Sequence, residues 1–179
     1  MKIAMVGEMR SGKDTFAKYF IERKFQNYSF GSGIAEVINT YFPDVWKTGK
    51  PRKHYQVIGQ SFRMLDPLYW IKILDNKLKW HNFFHGEESN IIVTDLRQPN
   101  EYDYLKSKGF YVIKVYADLD VRIHRAKEAG DTFDPEDLNH ETEIHIKDIP
   151  CDYFVTNNGT LDELLQKAEA IYKELGGTK

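Results

Sequence analysis

The 179 residues carry a formal net charge of −2, with 41% apolar and 29% charged side chains, which fits one globular domain with a real core and excludes a disordered or fibrous chain. Near-neutral charge gives generic nucleic-acid binding no electrostatic support. One cysteine, Cys151, excludes an internal disulfide, and with no secretory leader and no run of about 20 apolar residues, no membrane partner is expected and the cytoplasm is the default compartment.

Residues 2 to 6, KIAMV, form a short apolar run leading directly into GEMRSGKDT. It reads as a buried strand, and KDTFAKYFIERKF after it has helical spacing of Phe16, Tyr19, Phe20 and Ile21. Gly7, Gly12 and Lys13 between them fit the spacing G-x-x-x-x-G-K. In such a loop the backbone N–H groups of residues 8 to 14 point inward, the helix start adds its positive end, and Lys13 bridges the outer phosphates. Asp14 stands where serine or threonine is usual. A carboxylate repels bare phosphate but is a hard-oxygen partner for Mg²⁺, so it is expected to make nucleotide binding magnesium-dependent. A plain helix cap is the alternative. Thr15 offers a hydroxyl and an N–H to the innermost phosphate.

A second strand is expected at NYSF (27 to 30), followed by FGSGIAEVI. Residues 44 to 89 interrupt the alternation with helices around 54 to 64 and 67 to 80, an insertion over the sheet. Within it Leu68, Ile71, Leu74 and Leu78 recur at core spacing, and Trp70 reads as core or as a contact to a base. His81 and His85 lie four apart, but no cysteine or HExxH pattern accompanies them, so structural zinc is set aside. NIIVT (90 to 94) is the third strand. Asp95 closes it, where an acid holds Mg²⁺ through water or is a solvated loop residue, and Arg97 follows.

A helix from 100 to 108 stops at Gly109, and FYVIKVY (110 to 116) is the fourth strand. A helix from 119 to 129 is capped by Asp118 and stops at Gly130, with Arg122 and Arg125 together and Leu119, Ile123 and Ala126 on its other face. Residues 130 to 149 are acidic, poor in apolar side chains and read as a movable lid-like segment. DYFVT (152 to 156) is the fifth strand. The last helix opens with a capping box, Thr160 to Glu163, and carries Leu161, Leu164, Leu165, Ala168, Tyr172 and Leu175 on one face.

Alternating strands and helices imply a parallel, roughly five-stranded sheet covered on both faces, with the ligand at the carboxyl ends of the strands. Arg10, Arg63, Arg97, Arg122 and Arg125 fall at loop ends that such a sheet brings to one rim, although each alone reads as a surface charge. Phosphoryl transfer needs positive charge on donor, transferred group and acceptor. That distribution favours an acceptor that is itself a phosphate.

RSGKDT, YQVIGQSFRMLDPLYW, VTDLRQPNE and HETE, in that order, resemble the phage-type deoxynucleoside monophosphate kinases over most of the chain. GKD in place of GK[ST] is a feature of that family and of animal-type phosphomevalonate kinases. The resemblance implies a P-loop nucleoside-monophosphate-kinase-like three-layer sandwich, one domain over 1 to 179, with 44 to 89 on the acceptor side and 130 to 149 as lid. It implies transfer from ATP, with Mg²⁺, to a deoxynucleoside monophosphate. By position, Gly7, Arg10, Ser11, Gly12, Lys13, Asp14 and Thr15 serve ATP, and Asp14 and Asp95 the metal. Arg63, Asp66, Trp70 and Arg97 serve the acceptor, while Arg122 and Arg125 approach ATP from the lid side. Asn157, just past the last strand, is counted with ATP. Lys13, Asp95, Arg97 and Arg122 form the expected catalytic set, and His140 and Glu143 of HETE receive no role. A homodimer is one arrangement open to the chain. Dephospho-coenzyme A kinase, phosphomevalonate kinase and a non-catalytic nucleotide-binding module are the competing readings.

Overall fold

The computed structural model describes residues 1 to 130 and 145 to 177. The lid-like stretch from 131 to 144, with His140 and Glu143, lies outside the described residues. The chain divides into two compact units, Met1–Asn27 with Glu88–Lys179, and Tyr28–Glu87.

The first unit is built on β1 (Lys2–Val6), β3 (Ile91–Leu96), β4 (Tyr111–Tyr116) and β5 (Tyr153–Thr156), with β2 (Gln26–Tyr28) at the edge. Their order across the sheet is β2-β3-β1-β4-β5. β1 runs parallel to β3 and β4, and β4 parallel to β5. β1, β3 and β4 fall where short apolar runs predict them, because a strand buried on both faces must be apolar throughout. The two edge strands differ: β2 covers Gln26–Tyr28 rather than 27 to 30, with Gln26 and Asn27 exposed, and β5, found where DYFVT predicts it, exposes Phe154 and Thr156, as edge positions allow.

Ile3, Met5, Ile92, Ile113 and Val155 share one side of the sheet with Phe16 and Phe20 of α1 (Lys13–Ile21) and with Leu164, Ala168 and Ile171 of the final helix, α7 (Leu161–Glu174). Ala4, Val6, Val93 and Val112 alternate with them and are fully buried as well, so both sheet faces are covered. α5 (Pro99–Ser107) and α6 (Leu119–Glu128) contribute buried Leu105 and Ala126.

Several ends differ from expectation for identifiable reasons. α1 stops at Ile21 rather than near Phe25. Lys24 takes the left-handed position at φ 69° and the N–H of Phe25 returns to Phe20 O, a Schellman-type stop, which turns Phe25 back into the core, 5.4 Å from Phe20. Asp118 holds the N-cap position of α6 as expected, but its side chain makes no capping hydrogen bond. Its carboxylate instead accepts from Asn158 Nδ2 at 2.8 Å. The capping box at Thr160 and Glu163 is present, but Leu161 is exposed and Ile171 takes the buried position. At the end of the acidic segment, Ile146 and Ile149 are buried and Lys114 Nζ donates to Lys147 O.

The second unit consists of α2 (Gly31–Tyr41), a 3-10 turn (Pro43–Thr48), α3 (Arg52–Leu65) and α4 (Tyr69–His85). α2 lies on FGSGIAEVI, where the sequence alone assigns no element. Gly33 serves close packing. A Cβ on Gly33 would lie 3.0 Å from the Trp70 ring, and Trp70 Nε1 donates to Gly59 O on α3 at 3.0 Å. Ile71, Leu74 and Leu78 are buried as expected, whereas Leu68 is exposed because α4 starts one residue after it. Among the described residues, no helix is long and apolar enough to cross a membrane.

Candidate functional site, a braced anion loop

The chain leaves β1 toward β2 on one side of the sheet, and leaves β3 for β4 on the other, so β1 ends at a topological switch point. Residues 7 to 12 fill that position. Gly7 is required by close approach, since a Cβ there would lie 2.5 Å from Val115 O and 2.7 Å from Ser11 Oγ. Arg10 at φ 61° and Gly12 at φ 93° flank Ser11. Left-handed residues in alternation turn successive peptide N–H groups toward one concave side, the geometry of an anion nest. Ser11 N is spent on Glu8 O at 3.2 Å, so the inward set is smaller than the whole run 8 to 14. The Ser11 hydroxyl is buried without a hydrogen-bond partner among the described residues.

Two later segments hold the loop by its carbonyls. Asn157, just after β5, donates from Nδ2 to Ser11 O at 2.8 Å. Arg122 of α6 donates from Nη1 to Met9 O at 3.5 Å. A trans peptide directs its C=O and N–H oppositely. Pinning Met9 O and Ser11 O therefore fixes the N–H groups of Arg10 and Gly12 on the other side. Arg122 also donates from Nε to Ala117 O at 3.2 Å and from Nη2 to Glu8 Oε1 at 3.2 Å. Both side chains of this ion pair are under one-tenth exposed, and removing one partner from such a pair costs about 3–5 kcal/mol. Arg122 is thus a buried residue of α6, not part of an exposed face opposite Leu119, which is itself exposed.

Arg125 lies one turn on, with Nη2 reaching Asn157 Oδ1 at 3.5 Å. Its Nη1 is buried without a partner among the described residues.

Gly12 is the N-cap of α1, so Lys13 and Asp14 sit in the first turn and the helix-cap reading of Asp14 does not hold. Lys13 Nζ pairs with Asp14 Oδ1, the lysine largely buried and the carboxylate open to solvent. Thr15 is exposed beside it.

Asp95 is the penultimate residue of β3 and half-buried, and Arg97 follows the strand. The N–H groups of Arg97 and Gln98 both donate to Glu101 Oε2, at 2.9 and 3.1 Å. With Pro99 in the first turn this makes a capping box at α5. The sequence reading missed it, although Gln98-x-x-Glu101 is legible. Glu8 was missed as well, and nothing local marks it.

In the second unit, Arg63 lies in the last turn of α3, its Nη1 3.2 Å from where a Gly59 Cβ would be. Asp66 closes that helix. Its carboxylate accepts from Leu68 N at 3.0 Å and Lys72 Nζ at 2.6 Å, and the hydrogen bond from Lys72, then that from Leu68, pulls its pKa down from the usual carboxylate value. Trp70 is 2% exposed, with Phe62 and Tyr69 at centroid distances of 5.3 and 4.9 Å. It therefore organises the three helices and borders a groove of about 200 Å³ between α2 and α4, where Glu36, Thr40, Tyr41 and Tyr69 also line the wall.

Among the described residues, no three His, Cys, Asp or Glu side chains converge as a metal site. Mg²⁺ beside a polyphosphate is held by one or two carboxylates plus phosphate oxygens and needs no such cluster.

The deoxynucleotide monophosphate kinase family model matches residues 50–168. This range takes in Arg63, Arg97, Arg122, Arg125 and Asn157 and begins after the loop, which stands on its own geometry. The chain is 28% identical to the deoxynucleotide monophosphate kinase of Enterobacteria phage T4, over 83% of this chain and 54% of that one. It is 27% identical to the deoxynucleotide monophosphate kinase of Escherichia phage RB69, over 78% and 50% respectively. The chain thus spans about half the length of these curated relatives. The solved dephospho-CoA kinase of Campylobacter jejuni matches 98% of each chain at a TM-score of 0.58 and 14% identity, a likeness of fold alone. With the family model covering well over half of its residues, the chain belongs to the deoxynucleotide monophosphate kinase family.

Proposed function

We propose that the protein transfers the γ-phosphoryl group of ATP to a deoxynucleoside monophosphate, releasing the nucleoside diphosphate and ADP. The observation that carries this reading is the nest at residues 8 to 12, braced from behind by Arg122 and Asn157 and continued into α1 by Lys13, in a chain of this family. An oxygen of the acceptor phosphate attacks the γ-phosphorus, and the bond from that phosphorus to the β–γ bridging oxygen breaks. The attacking oxygen is already anionic, so the protein supplies position and positive charge rather than a strong base.

In this reading the loop N–H groups and Lys13 hold the β- and γ-phosphates, Thr15 the innermost phosphate, and Arg125 the nucleotide from the α6 side. Arg63 and Arg97 hold the acceptor phosphate, while Trp70 and Asp66 shape the helices that present Arg63. The carboxylates of Asp14 and Asp95 suit Mg²⁺, which when bound would offset phosphate charge. Asp14 then has two partners in turn, Lys13 and the metal. The stretch 44 to 89 forms the acceptor side of one kinase domain, 130 to 149 its lid, and the cytoplasm is its setting.

An ADP-release assay against all canonical deoxynucleoside and nucleoside monophosphates, dephospho-coenzyme A and phosphomevalonate tests the reading. Turnover confined to one or more deoxynucleoside monophosphates is expected. Turnover only on dephospho-coenzyme A or phosphomevalonate overturns it. Lys13→Ala should lower kcat by about a hundredfold or more, because Lys13 acts on charge that moves during transfer, with an unchanged melting curve. Near-normal turnover in that variant removes the loop from the mechanism.

A further inference from the structure

Glu8 is an unexpected residue for an anion-binding loop: a carboxylate 8% exposed inside the turn that is to receive phosphates. Coulomb repulsion alone would make it a liability. Its partner explains its presence. The guanidinium of Arg122 spans Glu8 Oε1 and Met9 O, acceptors on successive loop residues, while its Nε is tied to Ala117 O where the chain leaves β4. Every nitrogen of that guanidinium meets a protein acceptor, and the residue is 7% exposed. Arg125 on the same helix differs, with a buried Nη1 that meets none among the described residues.

Building on the nucleotide-binding reading above, we infer that Glu8 and Arg122 form a positioning pair that sets the anion nest from outside, so that Arg122 works through the loop and not on a phosphate. The carboxylate fixes the guanidinium, the guanidinium fixes the Met9 carbonyl, and the trans peptide then aims the Arg10 N–H into the nest. Arg125, held by Asn157, is left as the arginine of α6 that meets the nucleotide.

The two roles for Arg122 predict opposite signs. If Arg122 were a phosphate ligand, Glu8→Gln would release it and remove a nearby negative charge, and polyphosphate would bind more tightly. If the pair positions the loop, Glu8→Gln weakens binding, because misaligned N–H donors lose more than the removed charge returns. Calorimetric titration of magnesium-free inorganic tripolyphosphate into the full chain, with melting curves alongside, reads that sign. We expect an affinity about tenfold weaker in Glu8→Gln, together with a raised KM for ATP and an unchanged KM for the acceptor. Unchanged or tighter binding, with or without a lower melting temperature, overturns the inference. Arg122→Lys keeps the charge but cannot bridge two acceptors in a fixed fork. It should also bind several-fold more weakly, and it decides the matter if Glu8→Gln does not fold; wild-type affinity in Arg122→Lys overturns the pair. Failure of the unmutated protein to bind tripolyphosphate defeats the loop reading and the pair with it. Binding without turnover on any nucleoside monophosphate defeats only the kinase reading, and the sign in Glu8→Gln still decides the pair.

Discussion

At Gly12 a single hydrogen in place of a methyl group decides whether the loop can close. Its φ of 93° is strained for any L side chain, and a Cβ would lie 2.0 Å from Asn157 Nδ2. Gly12→Ala therefore adds about 1–2 kcal/mol of backbone strain and displaces the donor of the Ser11 carbonyl. The melting temperature should fall and ATP affinity should drop by an order of magnitude or so, as misplaced N–H donors lose the anion. Wild-type ATP affinity by calorimetry in Gly12→Ala would mean that nucleotide binds elsewhere. The same residue settles the local question at Asp14: because Gly12 is the N-cap, Asp14 falls in the first turn, where a carboxylate also favours the positive helix end.

Among the polar contacts that tie elements to one another are those of Asp152. Its carboxylate accepts both Lys106 Nζ of α5, at 2.9 and 2.8 Å, and Val112 N of β4, at 2.7 Å, just ahead of β5. Burial by itself would raise its pKa, but the hydrogen bonds from Lys106 and Val112 outweigh burial and the net shift is downward. A carboxylate whose folded pKa is depressed stabilises the fold above its unfolded value near 4, and loses that contribution as pH falls through the folded pKa. Asp152→Asn should thus cost about 1 kcal/mol at pH 7, discounted for partial exposure. Its melting temperature should converge with that of the unmutated protein below about pH 4. A gap between the two that persists undiminished at pH 3 would rule out the ionised carboxylate as the cause. Element ends were only partly legible: Thr160 and Glu163 announce α7, but Lys24 ends α1 from a left-handed position that sequence does not mark for a non-glycine residue.

On the scale of the whole molecule, the loop and each brace on it described above come from the first unit, whereas Arg63, Asp66 and Trp70 come from the second. Trp70→Ala removes a core aromatic and the indole N–H that ties α4 to Gly59 O on α3, at about 3–5 kcal/mol. Amide exchange across 31 to 85 should accelerate and acceptor binding should fail, while tripolyphosphate binding persists. Simultaneous loss of tripolyphosphate binding would show that the two units unfold as one. By itself the sequence determined the strands of the sheet, the loop and most helices, since apolar runs, glycine spacing and capping residues act over a few neighbouring positions. It could not determine that Arg122 is buried on Glu8, 114 residues away, that Asn157 holds Ser11 O across 146 residues, or that Trp70 is a wedge. The first two contacts exist only once the order β2-β3-β1-β4-β5 sets the ends of β4 and β5 beside the end of β1, and the third only once α3 and α4 pack against each other. The loop's chemistry is therefore local, but the direction of its N–H groups is decided by tertiary structure.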